Sequence, residues 1–245
     1  MKKDKPASIA PAEAVLTSSL KACIANGERL LDDAYAVEFQ EPPSTKLMLS
    51  VIAQEEFAKA FLLFMVRENV IDWSRHILRA MNDHACKQLV GVIIEYVDPQ
   101  LDTMEDMKKW AEQEAELGPQ LPPKVASAIN ILRHEKIRRW ESNNWDWAEA
   151  PKYDSSVVRI AEGMRDRMKQ DALYVRLGRD ARVVSTPGEV AEGNVNAEFE
   201  RARAYRYFVT SLLNDGGHPS STYPKVRAAL KAMFHTQIDA SEGAI

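Results

Sequence analysis

Apolar side chains recur at helical spacing along most of this chain. Between residues 8 and 39 they fall at Val15, Leu16, Leu20, Cys23, Ile24, Leu30, Leu31 and Tyr35, with Ser8 as a cap and Pro11 in the first turn. That spacing predicts a long amphipathic helix. Pro42-Pro43 breaks it, and Ser44 can cap a second helix carrying Leu47, Val51, Ile52, Phe57, Phe61, Leu62, Phe64 and Met65 and ending near Asn69. Because this second helix is apolar on most sides, it is expected at the centre of the core. Ile77, Leu78, Met81, Leu89, Val92, Ile93 and Tyr96 predict a third helix over 73–97, stopped by Asp98-Pro99.

The later chain repeats the theme with weaker patterns. Residues 102–117 read as a mostly solvated helix, and Gly118-Pro119 and Pro122-Pro123 separate it from a helix over 124–142. Asn143 to Trp147 reads as a loop, and a further helix spans 155–171. In the segment from Ala172 to Ser185, apolar residues flank a Gly178-Arg179-Asp180 turn, the pattern of a small hairpin or an extended loop. Helices resume over 194–213 and from Tyr223 to Gln237. No repeat of domain-building length and no Gly/Ser linker interrupts the chain. The expected fold is therefore all-α, one domain over 1–245: a core bundle at 8–97, additional helices at 102–171, the extended excursion at 172–187 and C-terminal helices at 194–237.

Composition narrows the function classes. The 245 residues are 45% hydrophobic and 28% charged, ordinary for a globular protein. Phe57 to Val66 is interrupted by Lys59, so no apolar run is long enough for a membrane span. The basic start Met1-Lys-Lys-Asp-Lys-Pro6 has no apolar stretch behind it, so a signal peptide is not expected and the chain reads as cytoplasmic. Cys23 and Cys86, both on apolar helices, predict buried thiols rather than a disulfide framework or a cysteine metal site. With a net charge of −4 no global field recruits nucleic acid, so RNA contact would need a local basic patch.

The candidate chemistry lies where charge interrupts the most apolar helices. Glu55 and Glu56 are followed by Lys59, and one helix later come Arg79, His84 and Lys87. Glu55 and Lys59 stand in the favourable order for an i,i+4 ion pair. A buried acid pair would need a basic or hydrogen-bonding partner, and a structural network anchoring helix packing is one reading. On a regular helix Arg79 and His84 would be turned about 140° apart and displaced about 7.5 Å along the axis. They could meet one phosphate only at an irregular helix start or across a dimer interface.

With such a trio, the histidine would move a proton to or from a ribose 2′-hydroxyl or leaving oxygen while the arginine stabilises phosphate charge, giving RNA cleavage without a metal. A metal reading would draw on Glu55, Glu56 and His84, but Lys59 would repel a cation and no Glu-x-x-His pair is present. No metal or cofactor is expected. The basic run containing Arg133, Lys136, Arg138 and Arg139 is a solvated helix face or, with Trp140, Trp145 and Trp147, a surface for nucleic-acid stacking and phosphate contact.

Together, Leu49-Ser50 followed by Glu55-Glu56-x-x-Lys59-Ala60, then His84-x-x-Lys87, and Leu173-Tyr174-Val175 leading to Ser185-x-Pro187 resemble the AbiV family of bacterial abortive-infection proteins. The resemblance covers roughly residues 12–210. It implies a cytoplasmic helical protein acting in phage defence, related to HEPN bundles that dimerise and cleave RNA with an Arg-x4-6-His motif. On that likeness the fold is a HEPN-like bundle, His84 is the acid or base, Arg79 stabilises the phosphate, and Glu55, Glu56, Lys59 and Lys87 order the site. The chain departs from the family pattern at Ala58, where a glycine is common, and at Arg176, where an acid is usual. The rival class is a non-enzymatic effector that binds a phage or host protein, with the charged cluster purely structural.

Overall fold

A computed structural model describes residues 10–98, 121–138, 152–213 and 223–235. Helix α1 (Glu13–Ala36) begins just after Pro11. Its buried residues Leu16, Leu20, Ile24, Gly27, Leu31 and Ala34 form one stripe along α2 (Ser44–Arg67), its most extensive packing partner. Gly27 permits the close approach, because a Cβ there would stand 2.6 Å from the Phe57 ring. As expected, α2 is buried on nearly every side. It stops where Asn69 takes a left-handed conformation, which asparagine tolerates better than most residues.

The predicted third helix is two. α3 (Arg75–Asn82) starts at Ser74, whose hydroxyl accepts from the His76 and Ile77 amides, and α4 (His84–Val97) starts one residue after α3 ends. The break is Asp83: its backbone is extended, and its carboxylate accepts the Cys86 amide as the N-cap of α4. Capping by a short acid competes with continuing the helix, and the apolar spacing alone does not register it. A second split falls within 155–171, where Gly163 at φ 84° separates α6 (Ser155–Ala161) from α7 (Met164–Asp171).

Helix α5 (Pro123–Asn130), with Pro123 in its first turn, continues without interruption as a π-helix over Ile131–Arg138. The antiparallel pair β1 (Arg176–Leu177) and β2 (Val183–Ser185) resolves the 172–185 segment as a hairpin, and Pro187–Glu189 forms a 3-10 turn. α8 (Glu192–Ser211) packs across α1, α2 and α4, and α9 (Tyr223–His235) adds Val226, Leu230, Met233 and Phe234 to the core. Among the described residues the architecture is an all-α bundle around α2 with one short hairpin. The predicted 102–117 helix and the 143–147 loop lie outside the described residues.

Candidate functional site

Glu55 is the hub. Carried by the central helix α2, its side chain is only 3% exposed and accepts from four side chains on two other helices. Oε2 lies 2.6 Å from Nδ1 of His84 and 2.8 Å from Nζ of Lys87, both on α4. Oε1 lies 3.2 Å from Nζ of Lys169 on α7 and 3.4 Å from Nε2 of Gln88. Burial alone would push the Glu55 carboxyl up; the Lys87 charge and hydrogen bond, with Lys169 and His84, outweigh it and hold it below its usual value. Glu55 is therefore an anion inside the bundle.

The break at Asp83 gives His84 its place. As the first residue of α4 its side chain is 50% exposed, with Nδ1 turned inward to Glu55 and Nε2 outside those contacts. An ionised carboxylate at Nδ1 favours the tautomer protonated there, which leaves Nε2 free to accept a proton. Lys87, one turn on, points to the same carboxylate and is buried. Thus Glu55, His84 and Lys87, expected to act together, are brought together.

Glu56 and Lys59 are not. Lys59 pairs with Glu56 at 2.7 Å rather than with Glu55, and this half-buried pair lies on the side of α2 where its charges act on Cys23 of α1. Arg79 is exposed in the last turn of α3, and its charge acts on Cys86. The basic run also divides. Arg133 lines a cavity of about 380 Å³ with His134, Leu62, Ile77 and Phe234, whereas Lys136 donates to the Ala161 carbonyl. Arg138 ends the π-helix, and Arg139 with the three tryptophans lies outside the described residues. Cys86 is sealed, and burial pushes its thiol far up, as expected for an inert cysteine.

Lys169 and Asp166 were not foreseen. Nζ of Lys169 sits 3.2 Å from Glu55, 3.1 Å from Nδ1 of His84 and 2.9 Å from Asp166. Glu55, His84 and Asp166 place ligand atoms within 4.8 Å of one another, close enough to hold a metal ion. The ammonium of Lys169 already lies among these atoms, so the cation that the cluster holds is a side chain. A sequence signal existed: Arg165 and Lys169 continue the stripe of Val157, Ala161 and Ala172, where a solvated face would not place small apolar residues.

Arg165 belongs to a neighbouring cluster. Glu95 accepts from Tyr205 at 2.8 Å and pairs with Arg201 at 3.0 Å and Arg165 at 3.9 Å. Arg201 also pairs with Glu198, which accepts from Gln54 at 2.8 Å. One turn of α7 thus serves two clusters.

The family model HEPN_AbiV, described as AbiV, matches residues 15–206. The chain belongs to the AbiV family. No curated protein and no solved structure matches it. The AbiV match takes in α1 through most of α8, and so includes both charged clusters and the hairpin. Among the described residues no helix of this AbiV-family chain is long and apolar enough to cross a membrane.

Proposed function

We propose that this AbiV-family protein acts in anti-phage defence by abortive infection, through metal-independent RNA cleavage at His84. Family membership supports the defence role. The observation that carries the chemistry is the half-exposed imidazole at the start of α4, fixed through Nδ1 by a buried, ionised glutamate. In this reading Nε2 of His84 takes the proton of a ribose 2′-hydroxyl, whose oxygen bonds to the adjacent phosphorus. The bond to the 5′-oxygen breaks, that oxygen takes a proton from solvent, and His84 returns its own proton to solvent. The products are a 2′,3′-cyclic phosphate and a 5′-hydroxyl.

Phosphate charge in the transition state is balanced by the positive end of α4 and by Arg79, across the Asp83 break from His84. Glu55 holds the ring, and Lys87 and Lys169 keep Glu55 ionised. Glu56 and Lys59 order α2 from the side facing α1. Arg133, Lys136, Arg138 and Arg139 contact RNA. The protein works in the cytoplasm as a homodimer.

The test incubates purified protein with transfer RNA in EDTA and identifies the product ends. Wild type is expected to leave cyclic phosphates, and His84→Ala and Arg79→Ala to abolish cleavage while remaining folded. Equal cleavage by wild type and a folded double variant would remove both catalytic assignments. The cluster would then be structural, as in the protein-binding alternative.

A further inference from the structure

We infer that the β1–β2 hairpin is a docking edge for an extended strand of a partner protein whose side chains alternate between apolar and acidic. Leu173, Tyr174, Val175, Leu177, Val183 and Val184 are all exposed, Tyr174 by 65%. Successive strand residues point to opposite faces, so a run exposed without alternation means that neither face of the ribbon rests on the bundle. Among the described residues the sheet has two strands, and within them each strand has one backbone edge without a neighbouring strand. An isolated hairpin of this size is marginal alone. This one is pinned at its base by Asp171, which accepts from Ser185 at 2.9 Å and pairs with Arg176 at 3.2 Å. Contiguous exposed apolar residues beside open edges are what strand addition uses.

Charge selects the occupant. From Leu173 to Ser185 the ribbon carries Arg176, Arg179 and Arg182; Arg176 pairs with Asp171 and Arg182 with Asp180 at 3.3 Å, which leaves the ribbon and its base with a net positive charge from Arg179. A second copy would bring like charges together, whereas acidic side chains on an added strand would meet the arginines. Single-stranded RNA would also meet them, but Val175, Leu177, Val183 and Val184 offer bases no stacking face, and Tyr174 is the ribbon's one aromatic. Beside the hairpin base, Leu47, Met164, Met168, Arg176 and Val190 line a groove of about 390 Å³ that can take an apolar side chain of the added strand. The Asp171 pin ends α7, the helix that carries Lys169. The inference does not depend on RNA cleavage.

The test titrates the full chain against a short fluorescent peptide alternating valine and glutamate. Saturable binding is expected, and none with a serine–glutamate peptide. The double variant Arg179→Glu/Arg182→Glu should weaken binding by about tenfold or more and acquire binding of a valine–lysine peptide, a gain no misfolded chain could show. Val183→Ser/Val184→Ser should lose both with an unchanged circular dichroism spectrum. The inference is overturned if valine and serine peptides bind alike, if nothing saturates, or if the variants bind as wild type does. It is equally overturned if the hairpin variants instead lose binding of single-stranded RNA, or lose self-association, with no peptide bound.

Discussion

Two ion-pair clusters lie side by side in this bundle, served by Arg165 and Lys169 of one short helix, and they differ in what they leave open. Around Glu95 the partners are arginines, a fully buried tyrosine and, at 3.7 Å, the half-exposed Lys124; burial and the Glu95 charge push the Tyr205 phenol well up. Around Glu55 one partner is a half-exposed histidine, whose second ring nitrogen lies outside the cluster's contacts. Similar acids and bases therefore build a brace in one place and a candidate proton-transfer site in the other. Each cluster has one half-exposed partner, a lysine at Glu95 and an imidazole at Glu55, and the chemistry of that partner makes the difference.

Acid acts on both clusters at once and should have the largest effect. Glu55 and Glu198 are held below their usual value of 4.5 despite burial, Glu55 by Lys87 first and Glu198 by Arg201 first, and Asp166 is held below its usual value by Lys169. A depressed folded value means that the unfolded chain binds protons first as pH falls. The contribution of these groups is therefore complete above about pH 5 and is lost as pH drops through their folded values. Urea unfolding across that range should show the loss, and Glu55→Gln should flatten it.

Glu55→Ala should cost about 3–5 kcal/mol, since Lys87 loses its buried counter-charge and Lys169 keeps only Asp166. Gly91→Ala probes the other cluster. Its Cβ would stand 2.6 Å from the Tyr205 hydroxyl, displacing it from Glu95 at about 1–3 kcal/mol, with RNA cleavage retained. If that variant loses cleavage as fully as His84→Ala, the two clusters are one functional unit and the contrast fails. His84→Ala should cost under about 1 kcal/mol by thermal unfolding, because its ring is half solvated. Smallest of all, Ala181→Gly in the hairpin turn should stabilise by less than about 1 kcal/mol, since Ala181 sits at φ 62°; calorimetry would register it.

The helical class, the central place of α2, and the meeting of Glu55 with His84 and Lys87 were legible because they follow from apolar period and from charge inside an apolar helix. The Asp83 break was not, because Met81 and Leu89 keep the same period on either side of a cap. Lys169 was hidden for another reason: it lies 114 residues from Glu55, and pairing over that separation leaves only the local trace of bases in a small-residue stripe. Glu55 and Lys59 have ideal i,i+4 spacing, yet the tertiary bases on α4 and α7 take Glu55, and Lys59 turns to Glu56. Local pairing worth about 0.2–0.5 kcal/mol yields to the demand of a buried charge.

The most direct test of the account is the tautomer of His84, read from the nitrogen shifts of its neutral ring by nuclear magnetic resonance. Glu55 as the orienting partner requires the proton on Nδ1 and a bare Nε2. A proton on Nε2, with Nδ1 accepting instead from Lys169 at 3.1 Å, would contradict it and leave His84 without a base to offer RNA.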